Sequence, residues 1–275
     1  MLDDNDVTRE ADPRPAEVEL AAAVEAARVT ADAHAAAAAP AIDAQIVTVM
    51  SSCRAALDAL AVQHAFLADH TDLDFEADTR WAARWRLAGA AIAYADALVE
   101  LSERGHVDTV LPTSRTLYET LGVLGVVNDD GEQTILRRLL DDQPIQPKNV
   151  RAAAERQAQR VTADAANRGL ELEVTAVKET MEQIYGKLSD VSHVRRSGAQ
   201  SLASASLRRA IYGRHPDPAH RAAGAASTVL SVEATIIAVG DALAAFYGST
   251  YYATVITPIQ DGLMSDAAAM LVLTA

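Results

Sequence analysis

An all-α helical bundle is the fold class this chain predicts. Apolar residues recur three and four apart over most of its 275 residues. No run alternates with period two for long enough to make a strand. Half of the residues are apolar but only 4% are aromatic, so the apolar surface is mostly alanine and aliphatic side chains, which favour helix. No unit of 20–50 residues repeats, which points to a bundle rather than a solenoid.

Residues 1–14 are polar and acidic and read as a disordered tail. Pro13 and Pro15 precede a helix over Glu17–Ala39, which Pro40 is expected to close. Ile42–His70 then repeats Ile46, Val49, Met50, Cys53, Leu57, Leu60, Phe66 and Leu67 at helical spacing. An acidic turn follows over Asp69–Asp78. Ala77–Glu103 reads as a helix carrying Trp81, Trp85, Leu87, Ile92, Tyr94, Leu98 and Leu101, with Gly105 as its stop. Residues 101–150 contain no alanine, a shift in composition that marks individually specified side chains. Within them, Val107–Val127 is a helix with Pro112 in its first turns, Asn128–Gly131 a turn, and Thr134–Leu140 a short helix. Two prolines make Gln143–Lys148 a connector. Helices are expected over Asn149–Asn167, Leu172–Val194 and Ser204–Tyr212, then a long one over Pro218–Tyr247, a turn at Gly248–Tyr252, and a last helix after Pro258. The expected division is a 15–75 helical extension, a 76–250 bundle and a 251–275 helical tail.

Charge and composition exclude several classes of function. The chain has 38 acidic against 24 basic side chains, a net charge of −14, which disfavours broad adhesion to nucleic acid or anionic lipid. One cysteine, Cys53, excludes a disulfide framework and a cysteine-rich zinc site. The apolar stretch Ala222–Tyr247 carries Glu233 and Asp241, so it reads as a buried helix rather than a membrane span. The first residues lack the basic start and apolar run of a secretory signal. A cytoplasmic location without membrane attachment is expected. Glycine-rich phosphate loops, H-E-x-x-H, G-x-S-x-G and paired E-x-x-H motifs are all missing. His64 and His70, with Asp69, Asp72, Asp74, Glu76 and Asp78, read as an acidic solvated loop rather than a cation site. No metal and no cofactor is expected.

Two segments place polar groups inside apolar helices. Arg115, Tyr118 and Glu119 stand at i, i+3 and i+4 and share one helix face. Tyr185, Ser189 and His193 stand at i, i+4 and i+8 and share another, with Gly186 permitting close approach of a neighbouring helix. If the two faces meet, their groups satisfy one another, as burial requires. Arg195, Arg196, Arg208, Arg209, Arg214 and Arg221 stand against the single acid Asp217 in residues 193–221. Such a local basic stretch on an acidic chain suits a selectively bound phosphate. The competing reading is that these arginines pair with acidic helices of this chain or of a second subunit.

The pattern Arg115-Thr116-Leu117-Tyr118-Glu119, followed by Tyr185, Leu188, Ser189 and His193, resembles a family of uncharacterised bacterial helical proteins. That family is grouped with the HEPN (higher eukaryotes and prokaryotes nucleotide-binding) superfamily, and the resemblance covers roughly residues 80–247. It implies a HEPN-like bundle with an N-terminal helical extension. Many HEPN proteins are metal-independent ribonucleases of toxin–antitoxin or phage-defence systems, acting as homodimers. The resemblance thus implies RNA or a nucleotide as ligand, a second copy as partner and a regulatory protein that controls activity. It implies His193 as the proton-transfer group at a ribose 2′-hydroxyl, set among Arg115, Glu119, Tyr185 and Ser189. Arg195, Arg196, Arg208 and Arg214 would hold phosphate. The family's usual signature puts four to six residues between an arginine and the histidine that follows it, whereas Arg195 and Arg196 follow His193. Arg209 and His215 have the usual spacing and form an alternative catalytic pair. So do Arg214–His220 and Arg28–His34, which shows how little spacing alone discriminates. The rival expectation is a non-catalytic oligomeric scaffold, in which the polar network only fixes helix register.

Overall fold

The computed structural model describes residues 15–70, 74, 79–129, 133–146, 148–153, 155–156, 159, 217–248 and 250–274. Six helices carry the described fold: α1 Pro15–His70, α2 Arg80–Glu103, α3 Val107–Asn128, α4 Thr134–Leu140, α5 Pro218–Tyr247 and α6 Thr257–Thr274. A π-helical segment, Tyr252–Ile256, leads into α6. A further helical stretch spans 148–153. There is no strand among the described residues, and the all-α class holds.

Each boundary has a local cause. The Thr79 hydroxyl accepts from the Ala82 amide and caps α2. Gly105, at φ 72°, turns the chain out of α2 while the Gly105 and His106 amides donate to the Ser102 and Leu101 carbonyls. The Asp217 carboxylate accepts from the Ala219 amide at the start of α5, and Pro218 fills the first helical position, where an N–H would have no partner. Gly248, at φ 95°, ends α5.

Pro40 does not close the first helix; α1 runs through it for 56 residues. Proline removes the amide that the Ala36 carbonyl would use. Here Pro40 and residues 36–38 are exposed, so that carbonyl is open to solvent and losing its helical partner costs little.

Cross-helix contacts fix the topology. Arg54 on α1 meets Glu103 and His64 meets Trp85, so α1 and α2 are antiparallel. Arg80 at the start of α2 reaches the Val127 carbonyl at the end of α3, so these two are antiparallel. Asp43 meets Arg221, and the Gln63 carbonyl meets the Tyr247 hydroxyl, so α5 runs parallel to α1. Helix α5 packs on α1, α2 and α3 alike, and α6 covers α1 and α5. One core therefore draws on α1 (Met50, Leu57, Leu60), α2 (Leu98, Val99), α3 (Leu117, Leu124) and α5 (Ile236, Leu243). It runs across residue 75, where the extension was expected to give way to the bundle. The seam of α2 is lined by alanines, Ala82, Ala88, Ala91 and Ala95, each fully buried, while its larger Trp81 and Tyr94 stay partly outside. Small side chains there bring the helix axes close.

Candidate functional site

Arg115 and Glu119 come together as the sequence predicts. Arg115 Nε donates to Glu119 Oε1 at 2.9 Å within one turn of α3. The arginine side chain is 15% exposed and the glutamate 38%, so the pair sits at the edge of the bundle rather than in its centre. Tyr118 lies beside them, half-buried. Ser114, one residue earlier, is fully buried and its hydroxyl has no hydrogen-bond partner among the described residues. Its position on the inward stripe with Val110, Leu117, Leu121 and Leu124 explains the burial. The other candidates, Tyr185, Ser189, His193, Arg195, Arg196, Arg208, Arg209, Arg214 and His215, lie outside the described residues.

Two members of the basic segment are described. His220 Nδ1 stands 2.6 Å from Asp217 Oδ2, both exposed at the first turn of α5. Arg221 is only 5% exposed and makes an ion pair with Asp43, with Nε and Nη2 at 2.9 and 2.8 Å from Oδ1. Arg221 therefore ties α5 to α1, and its charge is answered inside the chain. Asp43, Arg221, Ser102 and Glu103 line a cleft of ≈ 290 Å³ between α1, α2 and α5. Glu103 is paired with Arg54 at 2.9 Å, and the Ser102 hydroxyl is 2.6 Å from that of Thr228, which donates in turn to the Gly224 carbonyl. Each charged group in this cleft thus has a fixed partner, an arrangement suited to holding helices in register.

Further arginines serve the fold through partners that no local pattern signals. Arg80 donates to the Val127 and Asp129 carbonyls at 3.1 and 2.6 Å, and Arg84 to the Asn128 carbonyl at 2.8 Å. These are the carbonyls left open at the end of α3, where a helix dipole favours positive charge. The partners stand more than forty residues away, beyond any local pattern.

Aromatic side chains gather at the opposite end from Arg221. His64 stacks on Trp85 at 4.6 Å, with its Nε2 2.8 Å from the Trp85 carbonyl, while Trp85 Nε1 donates to the His64 carbonyl at 3.2 Å. Burial holds the His64 pKa below the ordinary imidazole value. His70 stacks on Phe66, which is 48% exposed rather than core. No group of three metal-ligating side chains occurs among the described residues. Tyr247 stacks on Tyr251, itself 5% exposed, so these rings pack against each other. Glu233 and Asp241 meet no arginine among the described residues. Cys53 is buried, as its apolar stripe predicts, and burial pushes its thiol up to about 12.

Among the described residues, the first half of α1 is the most exposed apolar element. Every described side chain from Leu20 to Ala38 is exposed. The second half of α1 and α5 are each long and apolar enough to cross a bilayer by length and composition, and their apolar faces meet in the core. No family model, no curated protein and no solved structure matches this chain.

Proposed function

We propose that this chain is a cytoplasmic interaction protein, a helical scaffold that presents the first half of α1 to a protein partner. The observation that carries this reading is the exposure of that arm, including Leu20 at 65% and Val24 at 60%, while the rest of α1 enters the core. A run of apolar side chains held rigidly in water is a docking element by its energetics. The interior polar groups support the same reading, because Asp43–Arg221, Arg54–Glu103 and Ser102–Thr228 bind helix to helix. A photo-crosslinking side chain at position 24 tests it. A discrete protein adduct, missing when the probe is moved to exposed Glu100 on the bundle, is expected. No adduct from position 24 contradicts the reading.

A second reading follows the HEPN resemblance. It is a bacterial defence or toxin-type protein that binds RNA or a nucleotide and cleaves RNA without metal, under control of a regulatory protein. The half-buried Arg115–Glu119 pair on α3 favours it. His193 would move the proton, with Tyr185 and Ser189 beside it, or Arg209 and His215 would act in their place. Arg195, Arg196, Arg208 and Arg214 would hold phosphate. Incubation of the protein with mixed RNA in EDTA tests this, beside His193→Ala and His215→Ala. Cleavage lost in one variant with folding intact identifies the histidine; an intact RNA pool with the wild type contradicts the reading.

A further inference from the structure

From Ala222 to Tyr247, Glu233 and Asp241 are the charged residues of α5, and a helix so apolar on every side is ordinarily buried all round. The described helices leave one side of it open. Leu230 is 52% exposed and Ile237 40%. Ala223, Ser227 and Ala234 share their line at spacings of three and four, the first exposed and the others half-buried. Helices α2 and α3, by contrast, turn Asp96, Glu100 and Thr116 to solvent. We propose that residues 172–194 cover the open line of α5, packing on it as an antiparallel helix.

The course of the chain selects this occupant. Residues 160–216 join Gln159 to Asp217. Ala153 packs with Val126 and Ile135 at the end of α3, where the Asn128 amide donates to the Ala238 carbonyl of α5. Asp217 caps the other end of α5. From Ala238 back to that cap is about 30 Å of helix, so the connecting chain has to travel that far along the bundle, against the direction of α5. Residues 172–194, as a helix, make about 34 Å. Elements consecutive in the chain ordinarily pack side by side, and α5 is the element this segment runs into. Residues 20–38 of α1 are out of reach. Asp43 already stands level with Arg221 in the first turn of α5, and α1 runs parallel to α5, so 20–38 extend past its start.

The apolar pattern agrees. Met181, Ile184, Leu188 and Val191 recur three and four apart. Read in the reverse direction, they fall against Ile237, Ala234, Leu230 and Ser227 in a single register. On such a helix positions 185, 189 and 193 stand on a separate line, so Tyr185, Ser189 and His193 stay off the buried seam. Docking at the arm of α1 does not depend on this packing.

The test uses the full chain. Ile237→Cys is reacted with a maleimide beside Glu100→Cys as an exposed reference. Native Cys53 is buried and does not compete. Position 237 is expected to react at least about tenfold more slowly than position 100, equally at about 1 and about 100 µM protein. Adding Leu188→Glu is expected to bring position 237 to within about twofold of the reference. Gln183→Glu, the same charge on the opposite face of the segment, is expected to leave it slow. Unchanged tryptophan fluorescence shows that the bundle stays folded in both. A second measurement needs no added charge: Leu188→Cys with Leu230→Cys is expected to oxidise to a disulfide within one chain, and its failure to form overturns the seam. Reaction of position 237 at the reference rate, with residues 172–194 unaltered, overturns the packing. Protection that appears only at the higher concentration gives the line to a second copy, and protection that survives Leu188→Glu gives it to another part of this chain. Either result overturns residues 172–194 as the cover.

Discussion

As pH falls, His64 has to take up a proton while it is stacked on Trp85 and shielded from water. Its folded pKa lies below its ordinary value near 6.5. The unfolded chain therefore binds the proton first. The stability this site contributes is fully present above about pH 6.5 and is lost as pH drops toward the lower folded value. Urea unfolding followed by tryptophan fluorescence should show the midpoint falling through that window, and His64→Phe should remove that part of the slope. An unchanged slope in His64→Phe assigns it to other groups. Arg221 and Asp43 make a second expectation at this scale. Asp43→Ala leaves a guanidinium only 5% exposed without its carboxylate and should lower unfolding free energy by about 2–4 kcal/mol, since Asp43 itself is partly solvated. Asp43→Ala with Arg221→Met should recover much of that loss. Equal stability of single and double variants contradicts a structural role for the pair. None of these partners was legible in the sequence, because Asp43 and Arg221 lie 178 residues apart and neither stands in a motif.

Helix packing turns on a few small residues. A side chain at Gly240 would stand 2.9 Å from Ile256 Cγ1 and Cγ2, where the π-helical segment crosses α5. Gly240→Ala should therefore destabilise by about 1–3 kcal/mol through overpacking. A methyl group added at Gly125 would meet nothing within 4 Å among the described residues, and Gly125→Ala should stabilise α3 by about 0.5–1 kcal/mol through helix propensity alone. Thermal unfolding of the two variants checks both signs, and a shared sign contradicts the packing described. Element type and position were largely readable: Thr134–Leu140 and Pro218–Tyr247 stand where apolar spacing and flanking prolines place them. Pro40 was misread because proline's cost in a helix depends on what surrounds it. In water the orphaned carbonyl is satisfied and α1 continues. Phe66, Trp81 and Tyr94 stay partly outside despite their size, and the closely packed α2 seam is lined by alanine instead.

At the scale of the whole molecule, a shared core and a projecting arm divide the work. Among the described residues, helices α1, α2, α3 and α5 bury their apolar faces in one another, while the alanine-rich first half of α1 stays outside. Composition foretold the class but not this asymmetry, since alanine at spacing three and four reads equally as buried seam or exposed arm. The candidate site was legible only as Arg115–Glu119, a local pair. Amide hydrogen exchange across the arm tests the account most directly. Residues 20–38 of the full chain should exchange quickly in the purified protein and gain at least about tenfold protection when cell protein is added, while α5 is unchanged. Fast exchange in the arm with cell protein added would contradict the claim that α1 is built to dock.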